Sequence, residues 1–113
     1  MKIEKFHIYL ADLKPRFGTE PGKIRPVIVV QTDLLNEAHA STIVCPITTR
    51  ITRESKLLRV YVPKKHSGLD YDSDILVDQI RAIDNRRFVK RVGKPAASEC
   101  VRLLENLKTI ILE

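Results

Sequence analysis

Gly22-Lys23-Ile24-Arg25-Pro26-Val27-Ile28-Val29-Val30 and, one strand further on, Cys45-Pro46-Ile47-Thr48-Thr49 are the stretches that decide the fold. Residues 26–30 form a continuous, largely β-branched apolar run, the pattern of a strand covered on both faces. Residues 42–47 repeat the pattern, but Pro46 has no N–H to give to a ladder and so predicts an edge, a bend or a strand end. Each block carries a polar residue at one end, Arg25 before the first and Thr48 after the second. A pleated sheet can bring both to one rim.

Outward from these blocks the chain reads as short strands between loops. Residues 6–13 alternate loosely, Phe6, Ile8 and Leu10 against His7, Tyr9 and Ala11, which predicts a first strand. Residues 14–23 collect two prolines and two glycines among polar residues, the composition of a long loop. A helical turn around Leu34 and Leu35, a second loop over 50–56 and a strand over 57–62 ending at Pro63 follow. Ser67-Gly68 and the acids Asp70, Asp72 and Asp74 predict a solvated turn before a short strand at 75–77, and 89–93 reads as another strand. Pro95 suits the first turn of a helix. Ala97, Cys100, Val101, Leu104 and Leu107 would form its sheet-facing stripe, with Glu99, Arg102, Glu105 and Asn106 in water. Residues 109–112 are β-branched enough to predict a closing strand. The expectation is a single domain over 1–113, mainly β with one C-terminal helix, forming a small barrel or curled sheet.

Composition narrows the function classes. With 113 residues one core is expected, and 20 Lys+Arg against 14 Asp+Glu leave a net charge of +6, which biases the surface toward polyanions such as RNA or an acidic protein. Cys45 and Cys100 stand in no metal-ligand or Cys-x-x-Cys spacing and read as reduced thiols. No stretch approaches the ~18 apolar residues of a membrane span, and no signal-type apolar core stands near Met1, so a soluble, cytoplasmic protein is expected.

The residue types also limit the chemistry. His7, His39 and His66 lie far apart, the acidic stretch lacks the Gly and Glu of a calcium loop, and neither a Gly-x-Ser-x-Gly elbow nor a phosphate-binding glycine loop occurs. No metal and no cofactor are expected, leaving Arg, Thr, Asp and Gln. Those can act on RNA, whose 2′-hydroxyl is an internal nucleophile beside the phosphate. Arg25 offers a planar fork of donors and Thr48 a hydroxyl for the phosphoryl oxygens. The general base is open, because an arginine with a pKa above ~12 is a poor base and neither block holds a histidine. The competing account makes Arg25 a buried salt bridge and Thr48 a strand-end hydroxyl.

Asp78-Gln79-Ile80-Arg81-Ala82-Ile83-Asp84 is a third candidate block. Gln79 can read base edges, Asp78 can accept from an exocyclic amine, and Arg81 can contact phosphate or stack on a base. The competing account pairs Arg81 with Asp78 or Asp84 to hold a turn. Residues 86–91 are a basic run that reads as a solvated strand flank in preference to an RNA track.

Together, Ile8 to Leu13, Gly18 to Val27, Pro46-Ile47-Thr48-Thr49 and Ser73 to Asp84 followed by Arg86-Arg87 resemble, in order and spacing, the MazF/PemK/Kid family of toxin endoribonucleases. The resemblance covers nearly the whole chain. It implies an SH3-like barrel with a C-terminal helix, a homodimer, and the toxin of a type II toxin–antitoxin pair that cuts single-stranded RNA without a metal. The implied products carry 2′,3′-cyclic phosphate and 5′-hydroxyl ends. It also implies Arg25 and Thr48 as the catalytic pair, with Thr19, Glu20, Asp78 and Gln79 near the RNA path. Lys23, Thr49, Arg50, Arg53 and Arg81 are further candidate RNA contacts, and by the resemblance the loops 14–23 and 50–56 flank a groove that an acidic antitoxin's disordered tail would occupy. The chain departs from the family at Phe6-His7, where many members have Gly-Asp. Gyrase-poisoning toxins of the same fold use an indole near the C-terminus, and this chain has no tryptophan. An inactive relative kept for antitoxin or RNA binding is the other alternative.

Overall fold

The computed structural model describes residues 1–14, 18–19, 23–52 and 55–113. Among these, seven strands make one antiparallel sheet: β1 (Ile8–Asp12), β2 (Ile24–Val29), β3 (Ser41–Thr48), β4 (Arg59–Val62), β5 (Ser73–Leu76), β6 (Arg81–Asp84) and β7 (Phe88–Gly93). Their order is β4-β5-β3-β2-β1-β7, with β6 also paired to β3, and α1 (Ala97–Leu112) follows the last strand. The mainly β class with a C-terminal helix is therefore as the sequence predicts. No helix among the described residues is long and apolar enough to cross a membrane.

Strand β3 holds the sheet together by changing partners. Along one edge it pairs with β2, from Val29↔Val44 to Val27↔Pro46. Along the other, Ser41 to Val44 pair with β6, and Ile47 and Thr48 pair with β5. Pro46 falls in the gap between these two partners, where a residue without an N–H does least harm. Pro46 thus stands inside β3, unpaired by either β6 or β5.

Side chains alternate across the sheet with period two, so each strand feeds two cores. On the helix side, Ile8, Ile28, Cys45, Ile47, Val60 and Ile75 pack with Leu103 and Leu107 of α1. On the opposite face, Tyr9, Ala11, Val27, Val29, Val44 and Ile83 make a second cluster, against which Phe88 packs. The Tyr9 hydroxyl is satisfied in burial, accepting from Glu4 N–H (2.8 Å) and donating to the Lys2 carbonyl (2.9 Å).

Several expectations need correction. The residues expected as a closing strand at 109–112 continue α1, because the helical stripe runs on through Ile110, which packs against the helix-side core. That stripe is Cys100, Leu103, Leu107 and Ile110, whereas Val101 and Leu104 of the expected stripe are about half exposed (53% and 49%). Arg102 is exposed as expected and also bonds the Tyr61 carbonyl, while Asn106 is half-buried and bonds the Lys56 carbonyl. Adjacent Leu103 and Leu104 made either phase of the helix readable. The strand expected at 75–77 is instead Ser73–Leu76, and Val77–Gln79 turn as a single 3-10 turn. Strand β6 carries no run of apolar residues and was not expected. The helical turn expected around Leu34 and Leu35 is present within the turns over 33–38, where Leu35 N–H reaches the Thr32 carbonyl (3.0 Å) and His39 N–H the Leu35 carbonyl (2.9 Å), with Leu34 exposed. Asp74, expected in a solvated turn, lies inside β5 and is buried.

Candidate active site

The two opening blocks meet across the end of a ladder. The β2–β3 pairing stops at Val27↔Pro46, while β2 begins at Ile24 and β3 runs on to Thr48. Continuing the same register by two residues sets Arg25 opposite Thr48, past the last ladder pair. Thr48 is in turn paired with Asp74 of β5, Asp74 with Tyr61 of β4, and Arg25 with Ala11 of β1. Directly opposed residues of antiparallel strands share a face. Arg25, Thr48 and Asp74 therefore form a polar row on the face away from α1, continuing the second cluster at its rim. Strand β6 adds Arg81 to this face, since Arg81 opposes Val44.

Thr48 is buried (8% exposed), and its hydroxyl oxygen accepts from Arg50 N–H at 3.1 Å. One lone pair is thus engaged and the hydroxyl proton remains to be given. Arg25 is half-buried, so its charge stands at the rim. Thr49 and Arg50 are exposed just beyond the strand end. Lys23 and Thr19 are exposed on the β1–β2 connection, and the Lys23 carbonyl accepts from Leu13 N–H (2.9 Å). Lys23 also has a positive φ of 63°, which turns the chain sharply into β2. Glu20 and Arg53 lie outside the described residues. A cleft of about 730 Å³ opens between the β3–β4 connection and α1, lined by Ile51, Ser55, Lys56, Arg59, Tyr61 and Arg102 among others.

The third block is divided by the 3-10 turn. Asp78 is exposed, and Gln79 is half-buried with its Oε1 covered and accepting no hydrogen bond among the described residues. Asp78 lies near the helix-side core: burial pushes the Cys45 thiol up to about 12, and the Asp78 charge adds to that rise. Asp84 is held by Arg86 in a two-pronged pair (3.0 and 3.0 Å). Hydrogen bonds from the Arg86 side chain and backbone hold the Asp84 carboxyl down at about 2. Arg87 and Arg91 of the basic run are also engaged in structure. Arg87 donates to the carbonyls of Asp12 (2.9 Å) and Lys14, and Arg91 pairs with Glu4 (3.1 Å). These bonds support reading 86–91 as a flank.

His7, at the departure from the family pattern, sits away from this row. Its Nε2 is 3.4 Å from Glu4, and its Nδ1 meets the Lys5 carbonyl at 3.0 Å. The preceding Phe6 has φ 63°, and its N–H reaches the Val29 carbonyl (2.6 Å), so the altered start is fastened to β2. Sequence reading passed over Arg59 and Asp74, whose pairing needs the β4–β5 register to be seen.

A curled antiparallel sheet with one C-terminal helix and a basic rim defines the class of fold. The model of the family described as PemK-like, MazF-like toxin of type II toxin–antitoxin system matches residues 4–111, and this chain belongs to that family. Among solved structures, MazF from Deinococcus radiodurans is 20% identical with a TM-score of 0.83, the match covering 98% of this chain and 97% of that one. The Mycobacterium tuberculosis toxin MazF-mt6 is 25% identical with a TM-score of 0.73 over 91% and 93% of the two chains. An endoribonuclease in complex with its cognate antitoxin, from a mycobacterial species, is 16% identical with a TM-score of 0.77 over 97% and 96%.

Proposed function

We propose that this toxin is a metal-independent endoribonuclease that cuts single-stranded RNA at short sequences, leaving 2′,3′-cyclic phosphate and 5′-hydroxyl ends. The observation that carries the reading is the β2–β3 register, whose continuation past its last pair, Val27↔Pro46, sets Arg25 opposite Thr48. A phosphate in that gap meets a fixed cation from one strand and a hydroxyl proton from the other. Both are aimed at the non-bridging oxygens, where charge grows as the 2′-oxygen attacks phosphorus. Exposed Lys23, Thr49 and Arg50 beside the gap, with Arg81 on the same face, offer further contacts to an RNA strand. Thr19, Glu20, Asp78 and Gln79 match family positions near the RNA path, and Arg53 is proposed beside them. The mycobacterial relative named an endoribonuclease supports the activity and its complex supports an antitoxin as partner, while the net charge of +6 favours an acidic one. Family membership supports a cytoplasmic homodimer.

The test is end-mapping of fragments from single-stranded RNA incubated with the purified chain. Expected are cuts at a short recurring sequence, cyclic-phosphate ends, and a rate unchanged by chelator. Arg25→Ala or Thr48→Ala within about threefold of the wild-type rate would overturn the catalytic assignment. Gyrase inhibition without RNA cleavage would favour the non-nuclease alternative.

A further inference from the structure

Among the described residues, Asp74 is the only buried carboxylate, 1% exposed, and it lies in the polar row beside Thr48. A buried charge is retained only when a counter-charge and hydrogen bonds compensate it. Here the compensation all comes from one side. Asp74 Oδ2 accepts from Arg59 Nη1 (3.3 Å) and from Thr52 N–H (3.0 Å). The same Arg59 Nη1 donates to the Arg50 carbonyl (2.7 Å), and Arg50 N–H donates to Thr48 Oγ1 (3.1 Å). The five residues from Thr48 to Thr52 are thus fastened at a hydroxyl, a carbonyl and an amide. The backbone pairing of β5 with β3 and β4 is separate from these bonds.

We infer that Asp74 and Arg59 are a positioning pair for Thr48, acting through the backbone of Arg50; the inference rests on the nuclease reading above. With Arg50 held at its carbonyl and Thr52 at its amide, the Arg50 N–H is aimed at one lone pair of Thr48. That bond fixes the hydroxyl rotor and leaves its proton directed elsewhere, toward the phosphate gap. Without the pair, the peptide after Thr48 is free to turn, and the hydroxyl loses its orientation. The chain length of β4, only Arg59–Val62, is enough for this role because Arg59 stands at its first position, diagonal to Asp74.

The experiment measures RNA cleavage and amide exchange on the full chain. Arg59 is only partly covered (side chain 25% exposed), so Arg59→Ala spares the core, and Asp74→Asn keeps the shape of the acid. Arg59→Ala should lower kcat about tenfold with KM within about twofold, since misaimed groups lose rate more than binding. Arg59→Lys should restore only part of it, because an ammonium lacks the planar fork. In a Thr48→Ala background the same Arg59→Ala change should cost less than about twofold, because both act through one hydroxyl. A tenfold loss in both backgrounds, or a change in KM alone, overturns the inference. Independently of cleavage, Asp74→Asn and Arg59→Ala should lower the exchange protection of the Arg50 and Thr52 amides about tenfold, with Tyr9 and Ile28 unchanged. Unchanged protection overturns the positioning pair even if RNA is cut. Lost protection in a protein that cuts no RNA overturns the nuclease reading and any catalytic role for the pair with it.

Discussion

On the helix side of the sheet, Ile28, Cys45, Ile47 and Ile75 pack beneath Leu103 and Leu107; on the other side, Val27 and Val44 lead into Arg25, Thr48 and Asp74. The two sets are interleaved along the same strands, one residue apart. Where the β2–β3 ladder stops, the helix side is still apolar at Ile47, whereas the opposite side turns polar at Thr48. Rigidity and chemistry are thus assigned to alternate residues, and a one-residue slip of any strand would exchange them.

The comparison breaks most visibly at Leu103, fully buried on the helix side. Leu103→Ala should cost about 2–5 kcal/mol in urea denaturation, while cleavage per folded molecule stays at the wild-type level. Arg25→Ala is the mirror experiment. Cleavage should fall at least about a hundredfold, some 2.7 kcal/mol of barrier, with the unfolding free energy changed by under about 1 kcal/mol. The two cysteines sharpen the contrast further. Burial pushes Cys45 up to about 12 and raises Cys100 less, so a thiol reagent at pH 8 should label Cys100 at least about ten times faster, and Cys45 only as the chain opens. The smallest effect belongs to Asp84 at the exposed end of β6. Its folded value of about 2 lies below the ordinary carboxylate value, so the Arg86 pair stabilises above about pH 4 and is lost as the pH falls toward 2. Arg86→Ala should raise the Asp84 titration midpoint, read by carboxyl-carbon NMR, and leave neutral-pH cleavage unchanged.

Much of this division was legible in the chain. The β-branched runs located β2 and β3, Pro46 announced the irregularity in β3, and the polar ends of both runs placed Arg25 and Thr48 at a rim. What could not be read was pairing at a distance. Strand β6 is short and polar at both ends, and its existence depends on the free edge of Ser41 to Val44. Asp74 looked solvated because its neighbours Asp70 and Asp72 are exposed; only the β4–β5 register supplies the arginine that lets it be buried. The helix phase was ambiguous because Leu103 and Leu104 are identical side chains 100° apart on the helix. The glycines at 68 and 93 show the same limit: a Cβ on either would collide with the backbone of the other's segment, which no local pattern announces.

Arg87 reaches back 75 residues to the Asp12 carbonyl, closing the β1 end of the sheet with a bond from the final third of the chain. The row itself draws on β2, β3 and β5, and β1 gains its second neighbour only with β7. Structures assembled from such distant segments form late, since loop closure must precede any reward from contact. During synthesis, Arg25 and Thr48 leave the ribosome before β5 and β7, so the growing chain carries both side chains before the row that joins them can form.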